Sequence, residues 1–232
     1  MIQPRARAIV ALIAASIGAG GCGPAEPATG SVVEEVSVRY VALGDSYTIG
    51  TSVAEADRWP NQLVARVPEL EIVGNLAVNG YTSADLIRDE LPALAELRPE
   101  FVTVLIGVND VVQGLGESAY AGNVAAILDE LLAQLPADRV LCVATPDYTV
   151  TPNGASYGDP AQQSAAIVRT NGALREACDV RGIAFVGEIF EVSRGARDDL
   201  SLVAEDGLHP SGVQYERWVD AIEPAVRQLL GH

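Results

Sequence analysis

The chain has 232 residues, 49% of them hydrophobic and 20% charged, which is typical of one globular domain with a sizeable core and excludes a disordered chain. Its formal net charge of −16 disfavours nucleic acid and other polyanions as partners, because phosphate groups would be repelled. All fifteen basic residues are arginine, so chemistry that needs a lysine, such as a Schiff base, a P-loop or a Ser-Lys dyad, is excluded.

The N-terminal segment is predicted to be an export signal. Arg5 and Arg7 precede the apolar, small-residue run AIVALIAASIGAGG, which has the length of a signal peptide and is short for a membrane span. The small residues directly before Cys22 resemble the lipobox of bacterial lipoproteins, with Ala19 where leucine is more usual. We therefore expect a signal peptide over residues 1–21 and an exported cell-envelope lipoprotein, held to the membrane through a lipid on Cys22. The alternatives are ordinary secretion after cleavage at a nearby small residue and an uncleaved anchor.

The rest of the chain divides into a short tether and one folded domain. Residues 22–36 are rich in glycine, proline and small residues, which predicts a flexible tether. Over residues 37–232, strand-like runs alternate with segments of helical apolar spacing, and the strand-like runs are VRYVAL, LEIVGNLAV, FVTVLIG, RVLCVAT and IAFVGE. The segment SADLIRDELPALAEL is predicted to be a helix interrupted before Pro92. Such alternation predicts βαβ units, and hence an α/β fold with a parallel sheet covered by helices on both faces.

One long polar stretch, PDYTVTPNGASYGDP at residues 146–160, predicts a surface loop because it carries proline and glycine. Tyr148 and Tyr157 lie in this stretch. We interpret them as ordinary exposed loop aromatics, the alternative being that they line a substrate pocket.

The two cysteines of the predicted domain, Cys142 and Cys178, leave two arrangements open. In an oxidising compartment they could form a disulfide, whereas the apolar surroundings of Cys142 in RVLCVAT favour two separate buried thiols. The chain shows no spacing of cysteines and histidines that is typical of metal ligands, so we expect no metal site.

Polar residues and glycines follow four of the predicted strands. In an open parallel sheet, ligands bind at the carboxyl ends of the strands. We therefore expect these four segments to meet at one edge of the sheet. In chain order they are GDSYTIG with Ser46, NGYTS with Gly80, GVND with Asn109 and AEDGLHPSG with Asp206 and His209.

These residue types suit nucleophilic catalysis. A serine hydroxyl such as that of Ser46 is a poor nucleophile at neutral pH unless a base takes its proton, and histidine is the usual base. The chain has only two histidines, and because His232 is the last residue, His209 is the candidate base. Asp206 stands three residues before His209 in a glycine-containing turn, where its carboxylate can orient the imidazole.

Together the four segments resemble the SGNH (GDSL) hydrolases, a family defined by a serine, a glycine, an asparagine and a histidine in four separate blocks. These fall here, in the expected order, on Ser46, Gly80, Asn109 and His209. The resemblance spans the chain from about Val38 to the C-terminus, and its spacing looks closest to lysophospholipase-like general esterases. It implies the flavodoxin-like fold of that family, a three-layer α/β/α sandwich with a parallel five-stranded sheet.

The resemblance also implies a role for each residue and no cofactor. The implied roles are nucleophile for Ser46, base for His209, third triad member for Asp206, and oxyanion-hole donors for the Ser46 N–H, Gly80 and Asn109. Tyr47 stands where the name of the motif has leucine. This position varies within the family, and we interpret it as touching no catalytic role.

The predicted function is ester hydrolysis through an acyl-enzyme on Ser46, with a lysophospholipid or a small acyl or acetyl ester as substrate. The absence of a long apolar cap and an aromatic content of only 5% favour small acyl groups. Two alternatives stay open. One is acyl transfer to, or deacetylation of, a cell-envelope sugar, and the other is a tethered carbohydrate- or lipid-binding protein whose serine site is unused. The sequence does not indicate an oligomeric state.

Overall fold

The computed structural model describes residues 37–231. The predicted signal peptide at residues 1–21, the lipid attachment site at Cys22, the tether at residues 22–36 and His232 all lie outside the described residues. No helix within residues 37–231 has both the length and the apolar character that crossing a bilayer requires.

The strands form one parallel five-stranded sheet with the order β2-β1-β3-β4-β5. They are β1 (Val38–Gly44), β2 (Leu70–Asn75), β3 (Phe101–Leu105), β4 (Val140–Val143) and β5 (Ala184–Val186), and each falls in a run that the sequence predicts to be a strand, except that β1 extends one residue further, to Gly44. β1 and β3 are neighbours although β2 follows β1 in the chain, so the strand order changes direction between them. In parallel sheets, the crevice outside the carboxyl ends of the strands at such a switch point is where ligands bind.

The helices are α1 (Ser46–Ile49), α2 (Trp59–Arg66), α3 (Ser83–Asp85), α4 (Leu94–Leu97), α5 (Val108–Val112), α6 (Glu117–Leu132), α7 (Pro160–Asp179), α8 (Ile189–Arg194) and α9 (Gly212–Leu230). A π-helical turn occupies Leu86–Glu90, and 3₁₀ turns occupy Glu55–Asp57, Leu91–Ala93, Ala137–Arg139, Tyr148–Val150, Gly154–Tyr157, Gly195–Arg197 and Leu200–Leu202. The two longest helices begin at side-chain caps: Asp159 accepts from the Gln162 N–H at α7, and Ser211 accepts from the Gln214 N–H at α9.

Helices cover both faces of the sheet. Successive residues of a strand point to opposite faces, so alternate side chains of each strand enter different cores. On one face, Tyr40 and Phe101 are buried in a cluster with residues of α2 and α9. On the other face, Val41 and Val104 are buried with residues of α6 and α7. The predicted three-layer α/β/α sandwich with a parallel five-stranded sheet is therefore confirmed.

The predicted helix is interrupted before Pro92, as the sequence indicates. α3 continues into the π-helical turn Leu86–Glu90 and then into the 3₁₀ turn that contains Pro92. In a regular helix, a proline ring clashes with the carbonyl four residues earlier, and widening the turn relieves that clash. The Leu91 N–H accordingly bonds to the carbonyl five residues back. Glu90, the last residue of the π-helical turn, is buried, with 2% of its surface exposed.

The two cysteines of the domain are free thiols, so the disulfide between Cys142 and Cys178 that the sequence left open is not formed. Cys142 lies on β4 and Cys178 on α7, and both are buried in the core on the same face of the sheet. Both are unbridged buried thiols, which is the other alternative that the sequence left open, and their side chains are hydrogen-bond partners. This bond and burial raise the pKa of the Cys142 thiol well above its ordinary value, which keeps the thiol protonated at neutral pH.

Candidate active site

The loop after β1 places Ser46 at the carboxyl edge of the sheet. β1 ends at Gly44 with φ +152°, and a Cβ atom there would lie 2.3 Å from the carbonyl oxygen of Leu105, so this turn requires glycine. Asp45 then caps α1 by accepting a hydrogen bond from the Tyr47 N–H at 3.0 Å. Ser46 is the first residue of α1 and lies, 8% exposed, in the wall of a cavity.

The loop before α9 brings Asp206 and His209 into contact. Asp206 Oδ2 lies 2.6 Å from His209 Nδ1, and Asp206 Oδ1 accepts hydrogen bonds from the N–H groups of Leu208 and His209 at 2.9 Å each. The His209 carbonyl accepts from the Ala204 N–H at 2.8 Å, which closes the loop. One carboxylate therefore both folds the turn and holds the imidazole, as the three-residue spacing predicts.

The surroundings of Asp206 keep its carboxyl group ionised. Burial acts to raise its pKa, but hydrogen bonds from His209, from Ser52 and from two backbone N–H groups outweigh burial and hold the pKa well below its ordinary value. A carboxylate beside Nδ1 favours the tautomer of His209 in which Nδ1 carries the proton. Nε2 is then the basic nitrogen of the ring.

Two residues that the sequence analysis did not identify support the Asp206 loop from other segments. Ser52, which has a left-handed φ of 66°, donates from Oγ to Asp206 Oδ2 at 2.7 Å. Asn153 donates from Nδ2 to the Asp206 carbonyl at 2.6 Å, and its N–H bonds to the Gly207 carbonyl at 2.9 Å. Neither has a local sequence signal, because Ser52 and Asn153 are 154 and 53 residues away from Asp206 in the chain.

Tyr47 contacts the candidate base, so the interpretation that this position touches no catalytic role is wrong. Its ring centroid lies 5.3 Å from that of His209 at an interplanar angle of 54°, and 6.2 Å from that of Trp218. Tyr47 is itself buried between them. The imidazole is therefore held in two ways, by Asp206 at Nδ1 and by packing against the Tyr47 ring.

The loops after β2 and β3 contribute the other candidate residues. Gly80 adopts φ +82°, and no atom lies within 4 Å of a Cβ built on it, so its backbone borders open space. Asn109 lies on α5 just after β3, and its Nδ2 donates to the Tyr81 carbonyl at 2.9 Å. An amide nitrogen carries two hydrogens, so this bond fixes the Asn109 side chain and leaves one donor for a ligand.

One cavity of about 270 Å³ brings the candidate residues together. Ser46, Gly80, Asn109 and His209 all line it, and Asp206 is hydrogen-bonded to His209 behind the wall. The other lining residues are Asn79 and a mainly apolar group made of Tyr47, Val108, Val112, Tyr148, Tyr157 and Leu208. Four loops from one sheet edge thus assemble the residues that the sequence places after separate strands.

Tyr148 and Tyr157 both line this cavity, which is the alternative that the sequence left open, and the interpretation as an exposed aromatic is wrong for Tyr148. Tyr148 is 2% exposed, and its ring meets the partly exposed ring of Tyr157 edge to face, with centroids 5.9 Å apart. The segment folds inward because the buried Asp147 carboxylate accepts from the Thr149 N–H in the first turn and from Ser164 Oγ on α7 at 2.8 Å. The polar composition of this segment therefore did not indicate that its first turn faces the cavity.

This arrangement suits attack on a carbonyl carbon, because residues that carry a hydroxyl, an imidazole and an amide line one largely apolar cavity. Within residues 37–231, no three His, Cys, Asp or Glu side chains are grouped so that they could hold a metal ion. A serine hydrolase of carboxylic esters is the class of enzyme that this fold and this cavity define.

The chain belongs to the GDSL-like lipase/acylhydrolase family, whose family model matches residues 42–217. The matched region contains Ser46, Gly80, Asn109, Asp206 and His209. The resemblance to SGNH (GDSL) hydrolases that the four segments indicate is therefore confirmed.

Proteins of known structure share the fold. The crystal structure of TesA is 22% identical with a TM-score of 0.65 and covers 82% of this chain and 99% of its own. The psychrotrophic esterase EstA from a Pseudoalteromonas species, in a structure inhibited by monoethylphosphonate, is 17% identical with a TM-score of 0.63 and covers 84% and 100%. A curated protein named ribosome-recycling factor, from Burkholderia thailandensis, is 33% identical over 112 residues, which are 47% of this chain and 54% of that protein. The chain thus spans about half the length of that relative.

Proposed function

We propose that this protein hydrolyses esters of small acyl groups by double displacement through an acyl-enzyme on Ser46. The observation that supports it most directly is the cavity shared by Ser46 and His209, with Asp206 bonded to the far nitrogen of the imidazole. Ser46 attacks the ester carbonyl while His209 Nε2 takes the hydroxyl proton and then returns it to the leaving alcohol. Water, deprotonated by His209, cleaves the acyl-enzyme by the same route and releases the acid.

The negative charge on the attacked carbonyl oxygen needs donors that are already in place. We assign this role to the backbone N–H groups of Ser46 and Gly80 and to Asn109 Nδ2. The bond from Asn109 to the Tyr81 carbonyl supports this assignment, because it fixes the amide before substrate arrives.

Asn109→Ala is expected to lower kcat by about 10²- to 10³-fold with KM little changed, because the lost donor acts on the oxyanion more than on the bound ester. Steady-state kinetics with p-nitrophenyl acetate measure the effect. Asn61→Ala on α2, outside the cavity, is the matched control and should behave as the wild type. A kcat within about threefold of the wild type in the Asn109 variant would remove this residue from the oxyanion hole.

The cavity supports a small acyl group as the preferred substrate part. Its volume of about 270 Å³ lies just below the usual range for small-molecule sites, roughly 300–1,000 Å³. Val112, Leu208 and the two tyrosines Tyr148 and Tyr157 make its wall largely apolar. Such a wall favours an acyl chain over a charged group.

Tyr157→Ala is expected to shift the preference toward longer acyl chains, because the exposed Tyr157 ring forms part of the cavity wall on its solvent side. The ratio of kcat/KM for p-nitrophenyl octanoate to that for the acetate should rise at least about tenfold, since one methylene accommodated in an apolar pocket contributes roughly 10- to 200-fold. Tyr157→Phe, which keeps the ring, should retain the wild-type ratio. An unchanged ratio in the alanine variant would show that Tyr157 does not limit chain length.

Labelling with a fluorophosphonate, followed by a substrate panel, tests the proposed function as a whole. A serine hydrolase reacts covalently with the probe, whereas a carbohydrate- or lipid-binding protein does not. The panel contains p-nitrophenyl esters of increasing chain length, lysophosphatidylcholine and an acetylated oligosaccharide. We expect the short esters to be hydrolysed fastest. Preference for lysophosphatidylcholine would instead support the lysophospholipase-like assignment, and acetyl transfer to the sugar faster than hydrolysis would make the protein a transferase.

We also propose that the protein is exported and held at the cell envelope by a lipid on Cys22. The support is the sequence of residues 1–21 and the small residues that precede Cys22. Mass spectrometry of the mature N-terminus decides between the alternatives. A lipid-modified Cys22 is expected, and an unmodified start beyond Cys22 would exclude the anchor.

A further inference from the structure

Glu90 is a buried acid that hydrogen-bonds to the turn carrying Ser46, although it lies 44 residues further along the chain from that serine. It ends the π-helical turn Leu86–Glu90 and is 2% exposed. Its Oε2 accepts a hydrogen bond from the Gly44 N–H at 2.9 Å. Gly44 is the last residue of β1 and precedes Ser46 by two positions.

The carboxyl group of Glu90 accepts a backbone hydrogen bond from β1 at a point where β2 no longer pairs with it. The pairing of β1 with β2 reaches only Ala42 and Asn75. Beyond it, the Gly44 carbonyl still accepts from the Val78 N–H at 3.3 Å, but the Gly44 N–H is bonded to Glu90. Without an acceptor from Glu90, this buried N–H would be unsatisfied at the sharpest part of the turn.

We propose that Glu90 is a positioning residue for the nucleophile, which fixes the Gly44 turn so that Ser46 faces the cavity. The inference rests on the proposed role of Ser46. Glu90 touches no substrate in this scheme and acts only through Gly44. The Val78 bond ties the same turn to the loop that carries Gly80, so disturbing Gly44 also disturbs a proposed oxyanion donor.

The burial of Glu90 determines its charge at neutral pH. Burial, together with the charges of Asp45 and Asp89, raises the pKa of Glu90 to about 9, and the bond from Gly44 only partly opposes this rise. At pH 7 the group is therefore a neutral acid whose Oε2 accepts from Gly44. Its buried Oε1 has no hydrogen-bond partner among residues 37–231, so ionisation would place part of a charge on an unsatisfied atom.

The titratable groups around Glu90 come from several elements. Asp45 belongs to the turn after β1, Tyr81 to the loop after β2, and Asp89 to the same π-helical turn as Glu90. α6, which packs against this turn, buries Tyr120 and aliphatic residues. The remaining charged groups on this segment are Asp85 of α3 and Arg88 of the turn, which form an ion pair at 2.7 Å.

The experiment compares Glu90→Leu, which removes the acceptor, with Glu90→Gln, which keeps it without the ability to ionise. At pH 7, Glu90→Leu is expected to lower kcat and the rate of fluorophosphonate labelling by about 10- to 100-fold with KM little changed, because the nucleophile is misplaced. Glu90→Gln should restore kcat to within about threefold of the wild type. Glu96→Leu, on the exposed side of α4, is the matched control for loss of a carboxyl group and should leave kcat unchanged.

The pH dependence of kcat and of the labelling rate tells whether Glu90 positions the nucleophile or has only a structural role. As pH rises through 9, wild-type kcat and labelling rate should fall at least about fivefold as Glu90 ionises, whereas Glu90→Gln should keep its rate. The folded-state pKa lies above the unfolded value, so the wild type should also lose thermal stability as pH rises, more than the glutamine variant does. This comparison decides the matter even where Glu90→Leu fails to fold.

A Glu90→Leu variant with wild-type kcat, or an alkaline fall of the same size in the wild type and in Glu90→Gln, would overturn the inference. Either result leaves the proposed hydrolysis at Ser46 intact. Activity that survives Ser46→Ala would instead overturn the proposed function, so the two failures are distinguishable.

Discussion

Ser46→Ala is expected to lower kcat for p-nitrophenyl acetate by about 10⁵- to 10⁶-fold and to abolish fluorophosphonate labelling, while the protein stays folded. The hydroxyl is the proposed nucleophile. Without it, the rate acceleration that remains comes from substrate binding and from stabilisation of the oxyanion. The fold should tolerate the change because α1 is capped by the Asp45 carboxylate and not by Ser46. Alanine is also a better helix former than serine.

The measurements are single-turnover and steady-state hydrolysis, with a thermal melt of each variant. Ser156→Ala, in an exposed turn of the 146–160 segment, is the matched control and should be labelled and active like the wild type. Hydrolysis that persists in the folded Ser46→Ala variant would exclude an acyl-enzyme on this residue.

His209→Ala is expected to cost about as much as Ser46→Ala, and the double variant to cost no more than either single one. The reason is that nucleophile and base act as a unit, so that removing one makes the other useless. Asp206→Asn should cost about 10⁴-fold, because an amide at this position no longer favours the tautomer with a basic Nε2. The cycle is measured as kcat/KM of the wild type, the two single variants at Ser46 and His209, and their double variant.

The other histidine of the chain offers the control. His232→Ala should leave kcat/KM unchanged, because the proposed mechanism assigns the proton transfer to His209, which lines the cavity with Ser46. Losses that simply multiply in the double variant would mean that Ser46 and His209 do not act on the same step.

Much of the fold was predictable from the sequence because its signals are local. Five apolar runs alternate with segments of helical spacing, and each run overlaps one of the five strands that form. That Ser46, Gly80, Asn109 and His209 line one cavity was also predictable, since the carboxyl ends of parallel strands share one edge of the sheet. The Asp206–His209 contact follows from a spacing of three residues within one turn.

What the sequence did not predict depends on contacts between distant segments. Ser52 and Glu90 have ordinary neighbours in the chain, and their roles appear only through Asp206 and Gly44. Tyr148 lies in a stretch whose composition is that of a surface loop, yet the buried Asp147 carboxylate turns it inward. Local composition reports average exposure, and it carries no information on which particular ring a fold encloses.

Asn153 has a consequence for attempts to re-engineer specificity. The segment that supplies Tyr148 and Tyr157 to the cavity also supports the Asp206 loop through the side chain and backbone of Asn153. Grafting a foreign segment here to admit bulkier esters would therefore remove the Asn153 bonds that support the Asp206 loop, along with the two tyrosine rings that line the cavity. A chimera that retains Asn153 should keep turnover while its substrate range changes, and a library built on this enzyme should hold that position constant.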